Sequence, residues 1–139
     1  MAKKFIAGGE RNINLTVGSG ITSGTPIAVG QLKGTVETDA DSDNKAVVNV
    51  HPTATYEHSV RNVLTYAASA EATWGAIAEG DLIYLDGSAT MPSGVYLSTS
   101  PLDDAGSANK LFGKATTADS TATANTATIE VIQDAVKLT

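Results

Sequence analysis

The chain contains two histidines and no cysteine, so proton transfer near neutral pH or nitrogen ligation of a metal would fall to His51 and His58. They sit at the two ends of His51-Pro52-Thr53-Ala54-Thr55-Tyr56-Glu57-His58, where Glu57 is the nearest third ligand. Pro52 interrupts any continuous helix, and the spacing matches no zinc signature. Both histidines are therefore expected in an exposed loop. Without cysteine, disulfides, thiolate nucleophiles and thiolate metal sites are excluded. No serine occupies a G-x-S-x-G elbow that would present a nucleophile. In Asp39-Ala40-Asp41-Ser42-Asp43-Asn44 the carboxylates begin like a calcium loop. The glycine such a loop needs is replaced by Asn44, however, and its closing glutamate by Val50. That tract and Asp103-Asp104 read as solvated acidic turns. The turns at Gly8-Gly9 and Gly18-Ser19-Gly20 lack the lysine and the following helix of a phosphate-binding loop. No metal, cofactor or catalytic residue is assigned, and the chain is not read as an enzyme.

Two groups of residues suit contact rather than chemistry. Trp74 and the tyrosines Tyr56, Tyr66, Tyr84 and Tyr96 could stack a sugar or a base. A lone tryptophan among small residues more often anchors a core or an interface, which places Trp74 and Tyr84 at a packed or subunit-facing surface. Lys3-Lys4-Phe5-Ile6 forms a short basic and apolar tip ahead of Gly8-Gly9. It is either a frayed terminus or an arm that adds to a neighbouring chain as a strand.

The elements that must carry these residues read as short strands. Asn12-Ile13-Asn14-Leu15-Thr16-Val17 alternates strictly, setting Ile13, Leu15 and Val17 on one sheet face. Strands are also expected at Ile27–Gly30, around Gly34 between Leu32 and Val36, and at Ala46–Val50. Further along the chain they are expected at Leu82–Leu85, Gly94–Leu97 and Leu111–Ala115. Thr126–Ile132 alternates and closes the set, with Val136 and Leu138 as an extension. Ala67–Ala78 favours a short helix or a loop, because its alanines are interrupted by Gly75. Such regular spacing predicts a mainly β fold: a single compact β-sandwich or small β-barrel with at most one short helix. Residues 1–10 form the N-terminal arm and residues 11–139 the domain.

Composition narrows the class further. Apolar residues make up 42% of the chain, but alanine supplies so many of them that the core is lean and gains from burial against other subunits. A net charge of −6 opposes a nucleic-acid partner, which needs a basic face. The opening residues break at glycine before an apolar signal region develops, and no apolar run approaches the roughly 18 residues that span a bilayer, so neither secretion nor a membrane partner is expected.

Taken in order, the segments are similar to those of the phage capsid cement, or decoration, proteins. These are small β-domain head proteins of a phage family once known only as a domain of unknown function. Met1-Ala2-Lys3-Lys4-Phe5 resembles the family's opening, and Ile21-Thr22-Ser23-Gly24-Thr25-Pro26 its Ser-Gly-x-Pro turn. Trp74 ahead of Gly80-Asp81-Leu82-Ile83-Tyr84-Leu85-Asp86 is similar to its core motif. Leu111-Phe112-Gly113-Lys114-Ala115 and Ala127-Thr128-Ile129-Glu130-Val131 match later strands. His51 to Tyr66 and Ser98 to Asn109 depart from the pattern, so contacts made there are not carried over. The resemblance implies a virion structural protein, made in the host cytoplasm, that binds the major capsid protein on the outer surface of the head. It further implies a homotrimer that stabilises the expanded capsid lattice, with Lys3, Lys4, Phe5 and Ile6 as the capsid-contact arm. A carbohydrate- or host-surface-binding β module and a head–tail or tail structural component are the alternatives left open.

Overall fold

Strict alternation in Ala127-Thr128-Ile129-Glu130-Val131 sends every second side chain to the same face, and the chain uses that face to line a barrel. A computed structural model describes residues 5–66, 72–119 and 126–133. Its first seven strands are β1 (Phe5–Ala7), β2 (Asn12–Thr16), β3 (Pro26–Val29), β4 (Leu32–Val36), β5 (Lys45–Asn49), β6 (Thr55–Arg61) and β7 (Val63–Tyr66). The remainder are β8 (Ala72–Trp74), β9 (Leu82–Leu85), β10 (Leu97–Ser98), β11 (Lys110–Ala115) and β12 (Ala127–Gln133). The described residues contain no helix.

One sheet runs β6-β10-β9-β11-β12 and closes because β12 also pairs with β6, so it forms a small barrel with β1 added along β6. Closure leaves those strands without a free edge. The register sets Ala127 opposite Val60, Ile129 opposite His58 and Val131 opposite Tyr56. The even-numbered residues of β6 and the odd-numbered residues of β12 therefore point inward together. Val60, Ile77, Ile83, Leu97, Phe112, Ala127, Ile129 and Val131 fill the interior. At Gly113 a β-carbon would lie 2.0 Å from the Ile132 carbonyl oxygen, so the approach of β11 to β12 requires glycine there.

The second sheet has the order β2-β5-β4-β3. Its polarity is the reverse of a simple two-layer packing. Val36, Ala46 and Val48 are buried on the face turned away from the barrel, joined by Leu15, Val17, Ile21, Ile27 and Val50. The face turned toward the barrel carries Thr35 and Asn49, which lie opposite one another in the β4–β5 register. A third pair, β7 and β8, makes a separate two-stranded ribbon.

The mainly β expectation holds, with the barrel rather than the sandwich realised in the closed sheet. Three local expectations are corrected. Residues Ala72–Trp74, within the stretch read as helix or loop, form a strand, and Ile77 makes a bridge to Asp119. The strand expected over Gly94–Leu97 is confined to Leu97–Ser98, because that is the stretch that meets β6 and β9. His58, expected in an exposed loop, lies in the middle of β6 and is buried. Its side chain takes an inward position of an alternating strand in which Val60 is the aliphatic inward residue beside Tyr56 and His58. Residues 67–71, Val136 and Leu138 lie outside the described residues.

Candidate functional site

The polar face of the second sheet and the end of the barrel are joined by hydrogen bonds rather than by an apolar layer. Gln133, the last inward residue of β12, accepts a bond at Oε1 from the Thr35 hydroxyl at 2.7 Å. Its Nε2 donates to the carbonyls of Asn49 at 3.0 Å and His51 at 2.9 Å. The Thr35 hydroxyl has one hydrogen, and Gln133 takes it. His58, whose Nε2 stands 3.2 Å from the same oxygen, must therefore be the donor, which assigns the Nε2–H tautomer. Asn49 completes the seam: its Oδ1 accepts from the backbone amides of Arg11 and His51, and its Nδ2 donates to the Tyr56 hydroxyl at 2.9 Å.

Burial disfavours the charged form of both ring systems here. His58 is lowered to about 4 by desolvation alone. Tyr56 is raised far above its ordinary range, first by burial and further by the Glu37 carboxylate, with the Asn49 bond opposing. Both groups stay neutral at physiological pH. A buried, neutral Tyr56 with its hydroxyl engaged serves packing and cannot stack an external ligand.

His51 and His58 do not meet. His51 Nδ1 accepts from the Thr53 amide at 3.2 Å, and its ring packs where a β-carbon on Gly9 would stand. Among the described residues no group of three His, Cys, Asp or Glu side chains stands together as metal ligands. The aspartates are occupied by turns. Asp41 Oδ1 accepts from the amides of Asp43 and Lys45, and Asn44 takes the left-handed conformation at φ 61°. Asp103 Oδ1 does the same for Ala105 and Ser107. Two Ser-x-x-Lys spacings, Ser42 to Lys45 and Ser107 to Lys110, fall on exposed positions of these same turns.

What the described surface offers is docking. Phe5 is half-buried, its ring meeting that of Tyr56 edge to face at 5.2 Å, while Ile6 beside it is 38% exposed. Lys3 and Lys4 lie outside the described residues. Tyr84 is half-buried on β9, between Leu111 of β11 and Ser98 of β10. Trp74 pairs with Val63 in the ribbon, and its side chain lies outside the described residues. A groove of about 370 Å³ runs between β3 and the barrel, lined by Pro26, Ala28, Asp86, Tyr96, Asp103 and Lys110 among others. Tyr96, at 39% exposure, stands on its wall, and Leu102, next to Asp103, is 48% exposed. Sequence reading misses the groove because its walls come from segments far apart in the chain. The polar seam did carry a sequence signal, since Gln133 continues the inward series Ala127, Ile129, Val131.

These features define a small β-barrel domain with an appended sheet. The comparison with family models makes that class specific: the phage cement protein model matches residues 6–133, and the chain belongs to that family. Its role is structural and capsid-associated. Searches of curated proteins and of solved structures returned no match.

Proposed function

We propose that this chain is a head decoration protein that binds the major capsid protein on the outer surface of the assembled phage head as a homotrimer and stabilises the expanded lattice. The observation that carries this reading is the family match across residues 6–133, which takes in every described strand from β2 to β12. The physics is linkage: a protein that binds the expanded shell and not its precursor stabilises the expanded state by mass action. Lys3, Lys4, Phe5 and Ile6 serve as the contact arm within residues 1–10, and residues 11–139 form the domain. Trp74 and Tyr84 serve packing or the interface between subunits. Two features support the arm. Ile6 leaves apolar surface in solvent, and Lys3 and Lys4 give an acidic chain a basic tip.

Co-sedimentation of the purified protein with expanded and unexpanded heads of its phage tests the reading. Binding is expected to expanded heads alone, and failure to bind them would overturn it. Light scattering is expected to give the mass of three chains. Deleting residues 2–7 is expected to weaken head binding at least about tenfold while the domain still unfolds cooperatively. The stability cost should stay near about 1–2 kcal/mol, because the half-buried Phe5 ring and the short β1–β6 pairing are the contacts that leave. Loss of folding on deletion would instead assign the arm to the core.

A further inference from the structure

Among the described residues β3 is an edge strand of the second sheet, with β4 on one side and no strand on the other. Residues 30 and 31 link it to β4, with Val29 opposite Leu32 and positive φ at Gly30 but not at Gln31. That is a two-residue type II′ hairpin, whose flanking pair exchanges both backbone hydrogen bonds. Bonded and non-bonded pairs alternate along an antiparallel ladder. Val29–Leu32 and Ile27–Gly34 are therefore bonded, and Ala28–Lys33 is not. The amide and carbonyl of Ala28 consequently face outward from the sheet. They face the groove, whose lining includes Ala28 and, across from it, Asp86, Asp103, Asn109 and Lys110.

Natural proteins shorten, charge or cover a strand edge of this kind, since it templates pairing with another chain. β3 is short and opens on Pro26, two devices of that kind, but no described charged side chain blocks its remaining edge: the strand reads Pro26-Ile27-Ala28-Val29. Resting on the reading that the chain binds the head, we infer that the groove takes an extended, basic segment of the major capsid subunit, which adds to β3 as an antiparallel or parallel fifth strand of the sheet. Charge complementarity selects the occupant. Two carboxylates, Asp86 and Asp103, and one lysine, Lys110, line the groove, in a chain that is itself acidic. A segment with an unbranched or small residue opposite Ala28 and a lysine or arginine near the carboxylates fits these walls. Tyr96 gives the incoming strand an exposed aromatic to pack on, of the kind that anchors interfaces. Backbone pairing supplies affinity and the two aspartates supply orientation.

The test uses two variants of the full chain, each checked for an unchanged melting curve. Ala28→Pro removes the outward amide while leaving the bonded positions on either side intact, and proline is tolerated on the open side of an edge strand. Asp86→Asn with Asp103→Asn keeps the Oδ1 acceptors used by Ser88, Ala105 and Ser107 but removes both charges. In co-sedimentation with expanded heads, Ala28→Pro is expected to lower affinity at least about tenfold. The double asparagine variant is expected to lower it several-fold and to flatten its salt dependence. If both variants bind as the parent does, the groove is not the capsid-binding site, although the head-binding reading stands. If the parent itself fails to bind, that reading fails first. If Ala28→Pro instead lowers the oligomeric mass, the edge seats a second copy of this chain and the inference is overturned. Should Ala28→Pro not fold, the charge variant decides alone.

Discussion

Gln133→Leu is expected to lower the unfolding free energy by about 3–5 kcal/mol, a large share of what a domain of this size has in reserve. The side chain changes little in volume, so packing is not the main loss. Its amide satisfies three partners at once: the Thr35 hydroxyl and the carbonyls of Asn49 and His51. Leucine would leave the Thr35 hydroxyl hydrogen and the Asn49 carbonyl facing an apolar atom and the His51 carbonyl with its bond from the Ala54 amide, and an unsatisfied buried polar group costs about 1–3 kcal/mol. Thr35→Val removes one of those bonds together with the His58 bond to the same hydroxyl and is expected to cost about 2 kcal/mol, so the two variants together should show strong coupling in a double-mutant cycle. Urea unfolding measures both. A Gln133→Leu loss below about 1 kcal/mol would show that the seam contributes geometry and not stability. Hydrogen exchange separates the two roles. If the seam holds the second sheet on the barrel, amides of β4 and β5 should lose protection in Gln133→Leu before those of β9 and β11 do.

The seam also explains what can and cannot be read from the sequence. β2, β5, β9 and β12 are legible because their inward residues are aliphatic, so period-two alternation is visible as hydrophobicity. β6 has the same alternation, but its inward residues are Tyr56, His58 and Val60, and Pro52 precedes it. Judged by hydrophobicity, the segment looks like a loop. β10 has two residues and exists because β6 and β9 flank it, a condition no local window contains. Closure of the barrel depends on β12 pairing with β6, two strands far apart in the chain. Whether these strands form a sandwich or a barrel therefore depends on a long-range register that composition does not encode. The candidate site divides in the same way. The Lys3-Lys4-Phe5-Ile6 tip is local and visible. The groove beside β3 needs Asp86, Asp103 and Lys110 brought to one edge by folding. The reversed polarity of the second sheet is hidden for a related reason: Lys33 and Thr35 in β4 suggest a solvent face. They are buried instead, with Lys33 Nζ donating to the Leu111 carbonyl at 3.3 Å.

Acidification should destabilise the protein through His58, in a defined pH window. The folded-state value is lowered to about 4 from an ordinary 6.5, so between those limits the unfolded chain binds a proton that the folded chain refuses. Stability therefore rises with pH across the window. It is fully present above about 6.5, declines as the pH falls, and has lost its whole His58 contribution below about 4. Each pH unit between the folded and unfolded values is worth about 1.4 kcal/mol, so that contribution amounts to about 3 kcal/mol. The cause is structural. The ring is enclosed by Phe112, Tyr56 and Thr35. The hydrogen-bond chain already uses Nε2–H as donor to a hydroxyl whose own hydrogen is committed to Gln133, so an added proton would place charge where burial alone opposes it. His58→Gln can keep a neutral donor toward Thr35 and removes the titration. Urea midpoints measured from pH 7.5 to 4 should fall for the parent and stay nearly level for His58→Gln across the upper part of the window. Equal slopes for the two proteins would show that protons enter elsewhere and that the buried ring is not the acid-sensitive element. An NMR titration of the His58 ring gives the independent reading, with its resonances expected to remain close to those of the neutral imidazole down to about pH 5.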